Sequence, residues 1–328
     1  MDSEASAGTY FHRDPGPITE AFRFVSRRVG ELSALQLLDE ESLTSSVLGG
    51  LAVACPLMLK MHGSGADGER LCSWGPYSKS GRAGSKQSEA TSGADFALVL
   101  WESAMWARVA VFQAKKGTVK VEVNEEREHL TKWFVNVHRM PRKKANDLER
   151  LRKTQLAALV DTGNIGRREH LRATQQSSGP PAEHKPDVDT DQQHPQVVGM
   201  DWIHYIVYRD GDPICLPLSQ IDKMTVEKEL RNKGGSSYAP IRGDQTTTFF
   251  DVLHAGLDHE CPTSWLRLDV DGVKAVIGKL VELMTVIVGD EQSGHPLTPV
   301  PDGGGIQTDV AKPVVAPDPD VGSAFKLS

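Results

Sequence analysis

The stretch GADFALVLWESAMWARVAVFQAKK, residues 93–116, decides how the chain is read. Two runs within it, DFALVLW (95–101) and RVAVFQA (108–114), are apolar, rich in β-branched and aromatic residues, and of strand length. The six residues between them suit a hairpin-like connection. Side chains alternate along a strand, so Gln113 and Lys115 share one face while Ala114 takes the other. In a hairpin, Asp95 at the head of the first strand comes close to Gln113 and Lys115 at the tail of the second. A carboxylate, an amide and a lysine then converge at one end of a sheet. That trio suits metal-assisted phosphodiester hydrolysis. Mg2+ or Mn2+ takes oxygen ligands, here the Asp95 carboxylate, the Gln113 amide oxygen and the peptide carbonyl of Ala114. Lys115 is placed to activate the attacking water and to stabilise charge on the phosphate.

Outward from this pair the chain reads as mixed α/β. Upstream, EESLTSSVLGGLAVAC (40–55) predicts a helix with Leu43, Val47 and Leu51 on one face and acids in its first turn. Either Glu40 or Glu41 supplies a further carboxylate, Glu40 being favoured; Glu89, in SEATSGADF, is a second candidate. Downstream, DLERLRKTQLAALV (147–160) predicts a helix, WIHYIVY (202–208) and PICLPL (213–218) predict strands, and VKAVIGKLVELMTVIV (273–288) predicts a long apolar helix for packing or for a homodimer contact. No internal repeat is present.

The order of a helical glutamate, an aspartate opening a strand, and Q-x-K on the next strand resembles the PD-(D/E)XK nuclease superfamily. The likeness is greatest to its Mrr-like restriction endonucleases, in which glutamine replaces the second acid. It rests on EESLT (40–44), SGADF (92–96) and FQAKK (112–116), with WIHYIVY as the later core strand, and covers residues 35–220. Ala94 stands where the family has proline. The resemblance implies a restriction-endonuclease-like fold: a mixed central sheet flanked by helices, here with helical and irregular C-terminal additions. It also implies a metal-dependent endonuclease acting on DNA, in the setting of bacterial antiviral defence. Gln113 in place of an acid leaves a second reading open, a catalytically silent nucleic-acid-binding or protein-interaction module on the same fold.

Composition bounds these readings. The chain has 328 residues, 39% of them hydrophobic, enough for a sizeable core. No run of about 18 apolar residues is seen, so no membrane span is expected; the longest candidate, residues 47–61, is interrupted by Pro56. Cys55, Cys72, Cys215 and Cys261 lie far apart, which predicts neither a disulfide framework nor structural zinc and suggests a reduced, cytoplasmic setting. His254, His259 and Cys261 fit no common zinc spacing. The net charge of −7 argues against a DNA-coating protein, yet residues 139–153 hold seven basic residues against two acids. Arg142, Lys143 and Lys144 from that run, with Lys116, are the candidate phosphate contacts. The domain reading is an N-terminal extension (1–34), a nuclease-like core (35–220) with a polar insertion near 161–197, and a C-terminal α/β addition (221–288). A disordered tail (289–328) follows, with six prolines, six glycines and few large apolar residues.

Overall fold

A computed structural model describes residues 16–35, 37–62, 71–77, 92–103, 105–123, 129–138, 154–177, 196–231, 237–258, 260–278 and 285–287. Two helices come first. α1 (Pro17–Ala34) begins with proline in its first turn, where a missing N–H breaks no bond, and buries Phe22, Val25 and Val29. α2 (Glu40–His62) is capped by Asp39, whose carboxylate accepts from the Ser42 N–H at 2.8 Å. Leu43, Val47 and Leu51 are buried along one face of α2, as their spacing predicts. The helix does not stop at Cys55 but continues through Pro56. By length and composition it is long and apolar enough to cross a membrane, contrary to the expectation from Pro56; about a third of that window is buried against the rest of the protein.

Strands β1 (Leu71–Pro76), β2 (Phe96–Trp101) and β3 (Trp106–Lys116) follow. Then come β4 (Thr118–Val123) and β5 (His129–Asn136), helix α3 (Gln155–Ser177), and β6 (Ile203–Tyr208) and β7 (Ile214–Pro217). The chain continues through α4 (Lys223–Leu230), β8 (Tyr238–Ile241), β9 (Thr247–Thr248), α5 (Phe249–Ala255), β10 (Leu266–Asp269), α6 (Val270–Ile277) and β11 (Thr285–Ile287). The main sheet is ordered β11-β1-β2-β3-β6-β7-β9, with β10 also paired to β3; β4, β5 and β8 form a separate small sheet. The predicted hairpin is present: β2 and β3 pair antiparallel, Phe96 opposite Phe112. β3 and β6 are parallel, Gln113 opposite Tyr205. One edge of β3 is thus shared, its first half by β10 and its second half by β6. That explains why Ala107 to Lys115 are all buried.

The fold is a mixed sheet flanked by helices. Against one face lie α1, α2 and α5, packed on Phe96, Leu98, Phe112 and Ala114. Against the other lie α3 and α6, packed on Ala97, Val99, Val111 and Val207.

Two expectations about elements need correction. Residues 161–177 are not part of a polar loop but the continuation of α3. The glycines that argue against a helix there are required by packing. A Cβ on Gly166 would lie 2.5 Å from the Trp202 ring, and one on Gly163 would collide with the Met200 sulfur. The run 273–288 is not one helix: α6 ends at Ile277, Gly278 takes φ +51°, and residues 285–287 pair with β1. Within the N-terminal extension, α1 packs on α2 in one apolar cluster. The first part of the 147–160 helix, the 178–195 part of the polar insertion and the 289–328 tail lie outside the described residues.

Candidate functional site

Gln113 sits near the end of β3, fully buried, on the face that α3 covers. Its amide reaches three partners. Nε2 donates to Asp95 Oδ2 and to the Ala114 carbonyl, the latter at 3.0 Å. Oε1 accepts from Gln155 Nε2 at 2.6 Å. Asp95 Oδ2 also accepts from the Ala114 N–H at 2.7 Å, while its backbone N–H donates to Phe112 at 2.9 Å. The carboxylate therefore closes the β2–β3 ladder where β2 begins, and this fixes it against Gln113.

Lys115, two residues on, is 6% exposed. Its Nζ lies 3.4 Å from Glu40 Oε1 at the first turn of α2. The other Glu40 oxygen accepts from the Lys116 N–H at 3.3 Å. Glu40 thus bridges the end of β3 to α2, and of the two adjacent acids it is Glu40 that makes this contact. Lys116 is exposed, with Nζ 3.4 Å from the Leu38 carbonyl. Asp95 and Glu40 both act on one buried phenol, Tyr208 on β6. Burial pushes Tyr208 well above its usual range and the two negative charges push the same way. The contact with Thr44 Oγ1 at 3.2 Å opposes them.

The elements that hold this arrangement are rigid. Gly93, at φ +74°, lets the chain before β2 pass directly beneath α3: a Cβ there would lie 2.5 Å from the Gln155 carbonyl and 2.9 Å from the Leu159 nitrogen. Thr154 caps α3 through Oγ1, which accepts from the Ala157 N–H at 3.2 Å. The same hydroxyl donates to the Glu229 carbonyl of α4 at 3.2 Å. Gln155 is thereby held above Gln113.

Of the residues singled out in the sequence, Asp95 meets Gln113, and Lys115 meets Glu40. Glu89, Arg142, Lys143, Lys144 and His259 lie outside the described residues. Cys261 Sγ lies 3.6 Å from the Trp265 carbonyl and His254 tilts over Phe250. Sequence reasoning missed Gln155, Tyr208 and Thr44. Gln155 had a signal, a polar side chain beside Leu156 in the apolar run TQLAALV; Tyr208 had none to separate it from a core tyrosine.

Among the described residues no group of three or more His, Cys, Asp or Glu is gathered to hold a metal. The donor set at Asp95 is instead mixed: one carboxylate, one amide and one peptide carbonyl, all oxygen donors of the kind Mg2+ or Mn2+ takes together with water. Two of them, Asp95 Oδ2 and the Ala114 carbonyl, already converge on one point, the Gln113 Nε2. In this arrangement the amide oxygen expected at a cation faces Gln155. No family model matches the chain, and no curated protein or solved structure matches it either.

Proposed function

We propose that this protein is a metal-dependent nuclease that hydrolyses DNA phosphodiester bonds. The observation that carries the reading is the convergence of Asp95 Oδ2 and the Ala114 carbonyl on the amide nitrogen of Gln113. An N–H group held between two oxygens occupies the position a small hard cation would take. The order of elements supports the same reading. The glutamate helix α2, the aspartate strand β2, the Q-x-K strand β3, the helix α3 and the strand β6 follow one another as the PD-(D/E)XK resemblance implies.

Asp95, Gln113 and Ala114 would hold Mg2+ or Mn2+, and Glu40 would complete the acidic shell. The ion, when bound, supplies Lewis-acid polarisation of the phosphate. Lys115 is buried beside Glu40, which fixes its ammonium at the strand end. From there it orients the attacking water and offsets charge growing on the phosphate oxygens. Water oxygen bonds to phosphorus, the phosphorus–oxygen bond to the leaving sugar breaks, the water proton passes to solvent, and the leaving sugar oxygen takes a proton from solvent. Lys116, with Arg142, Lys143 and Lys144, would contact the DNA backbone. A cytoplasmic role in defence against foreign DNA follows from the family resemblance.

One feature favours the second reading, a silent DNA-binding or protein-interaction module: the Gln113 amide itself fills the space between the oxygens. Plasmid nicking separates the two. Wild-type protein is expected to nick supercoiled plasmid with Mg2+ or Mn2+ and not with chelator present. Lys115→Ala should abolish nicking while leaving DNA affinity within about twofold, since a single charge among several phosphate contacts is removed. DNA binding without metal-dependent cleavage would give the silent module instead. Neither cutting nor binding would make the short motifs coincidental.

A further inference from the structure

We infer that Gln155 is a positioning residue that decides whether Gln113 turns its nitrogen or its oxygen toward the Asp95 site. The inference rests on the metal-binding reading above and names a device within it.

The argument starts from what a primary amide is. Its oxygen and NH2 ends have nearly the same shape and opposite hydrogen-bonding character. Turning the group by half a rotation exchanges a donor for an acceptor without moving another atom. Gln113 is buried between two sets of partners. On one side lie two acceptors, Asp95 Oδ2 and the Ala114 carbonyl, which select the NH2 end. On the other, among the described residues, lies the amide of Gln155, which selects whatever it is not presenting itself. At present Gln155 presents Nε2, and Gln113 answers with Oε1 at 2.6 Å.

Gln155 has little else to fix its orientation. It is 7% exposed, and its own Oε1 is buried and accepts no hydrogen bond among the described residues. Turning both amides together replaces one N–H···O bond with its mirror image, Gln113 Nε2 donating to Gln155 Oε1. The turn of Gln113 therefore needs either a matching turn of Gln155 or the loss of their hydrogen bond. At the Asp95 end the two acceptors favour nitrogen and a cation would favour oxygen, and the end that Gln155 presents tips that balance. While Gln155 donates, it opposes the turn that cation binding needs. The backbone under it is pinned by the Gly93 crossing and the Thr154 cap, so the side-chain amide is the part free to turn.

A double-mutant series with Mn2+ as the probe tests this by binding alone, read by electron paramagnetic resonance of free Mn2+ on the full-length chain. Gln155→Met keeps an unbranched side chain of similar length and removes the donor. It should tighten Mn2+ binding by roughly fivefold, the net worth of one hydrogen bond. In a Gln113→Glu background the same change should give no gain, because a carboxylate presents oxygen whichever way it is turned. A merely structural role for Gln155 would not make the effect depend on residue 113. A second measurement needs no variant: titrating wild type with Mg2+ should move the side-chain amide NMR signals of Gln113 and Gln155 together. Equal Mn2+ affinity with and without Gln155→Met, or a Mg2+ shift confined to Gln113, overturns the inference and leaves the metal site standing. Absence of Mn2+ binding in every variant, Gln113→Glu included, overturns both.

Discussion

At the scale of single residues, a buried histidine in the sheet is the simplest titratable group to test. His204 is 1% exposed, stacks on Phe112 with ring centroids 5.2 Å apart, and donates from Nε2 to the Ser264 carbonyl at 3.0 Å. Its Nδ1 is buried without a partner among the described residues, so a second proton there would have no acceptor. Burial pulls its pKa from 6.5 down to about 4, against the smaller opposing effect of the Ser264 contact. The sign follows from proton counting. The unfolded imidazole binds a proton near its ordinary pKa while the folded one does not. Stability from this group is therefore complete above about pH 6.5, and it is lost as pH falls toward about 4. At pH 5 the loss should be about 2 kcal/mol. Urea unfolding of wild type and His204→Gln at pH 7.5 and pH 5 measures it. The variant should lose less than wild type over that interval, and equal losses would mean that another group sets the acid sensitivity.

At the scale of elements, the site depends on how closely β2 and α3 approach, and Gly93 sets that distance. Gly93→Ala would place a methyl 2.5 Å from the Gln155 carbonyl on a backbone at φ +74°, a conformation L-residues rarely adopt. Neither partner is a flexible side-chain end; both are the backbone of the first turns of α3. The change should cost about 2–4 kcal/mol in thermal or urea unfolding. It should also separate Gln155 from Gln113. A cost below about 0.5 kcal/mol would show that the crossing is looser than described. The β2–β3 hairpin, the α2 face and strands β6 and β7 were legible because each is an unbroken pattern with a period of its own. What was not legible was decided by distant partners. Residues 161–177 read as part of a polar insertion because they carry no apolar period; their Gly163 and Gly166 lie where Met200 and Trp202 leave no room for a Cβ. The run 273–288 is apolar throughout, so no periodicity separates α6 from β11; pairing with β1 does. At the site, Asp95 and Gln113 were legible from strand alternation. Gln155 became visible only once α3 was laid over β3, a contact between residues 42 apart in sequence.

At the scale of the whole molecule, the last described element is β11. Residues 285–287 form an edge strand of the main sheet, pairing antiparallel with Cys72 to Trp74 of β1. Residues 289–328 carry six acids against two lysines, with six prolines and six glycines, and offer little apolar surface with which to offset the entropy of ordering. Two truncations on either side of that boundary should therefore behave differently. A chain ending at residue 290 keeps β11 and should melt within about 2 °C of the full chain, because no core is lost. A chain ending at residue 280 removes β11, leaves one edge of β1 unpaired and should melt several degrees lower, on the order of 2–4 °C for each kcal/mol lost. It should also associate more readily, since an unpaired edge strand is a template for pairing with another chain. Differential scanning calorimetry gives the first comparison and light scattering the second. Equal melting temperatures for the two truncations would show that β11 adds nothing to the sheet. A large drop already at residue 290 would show that the acidic tail packs on the body.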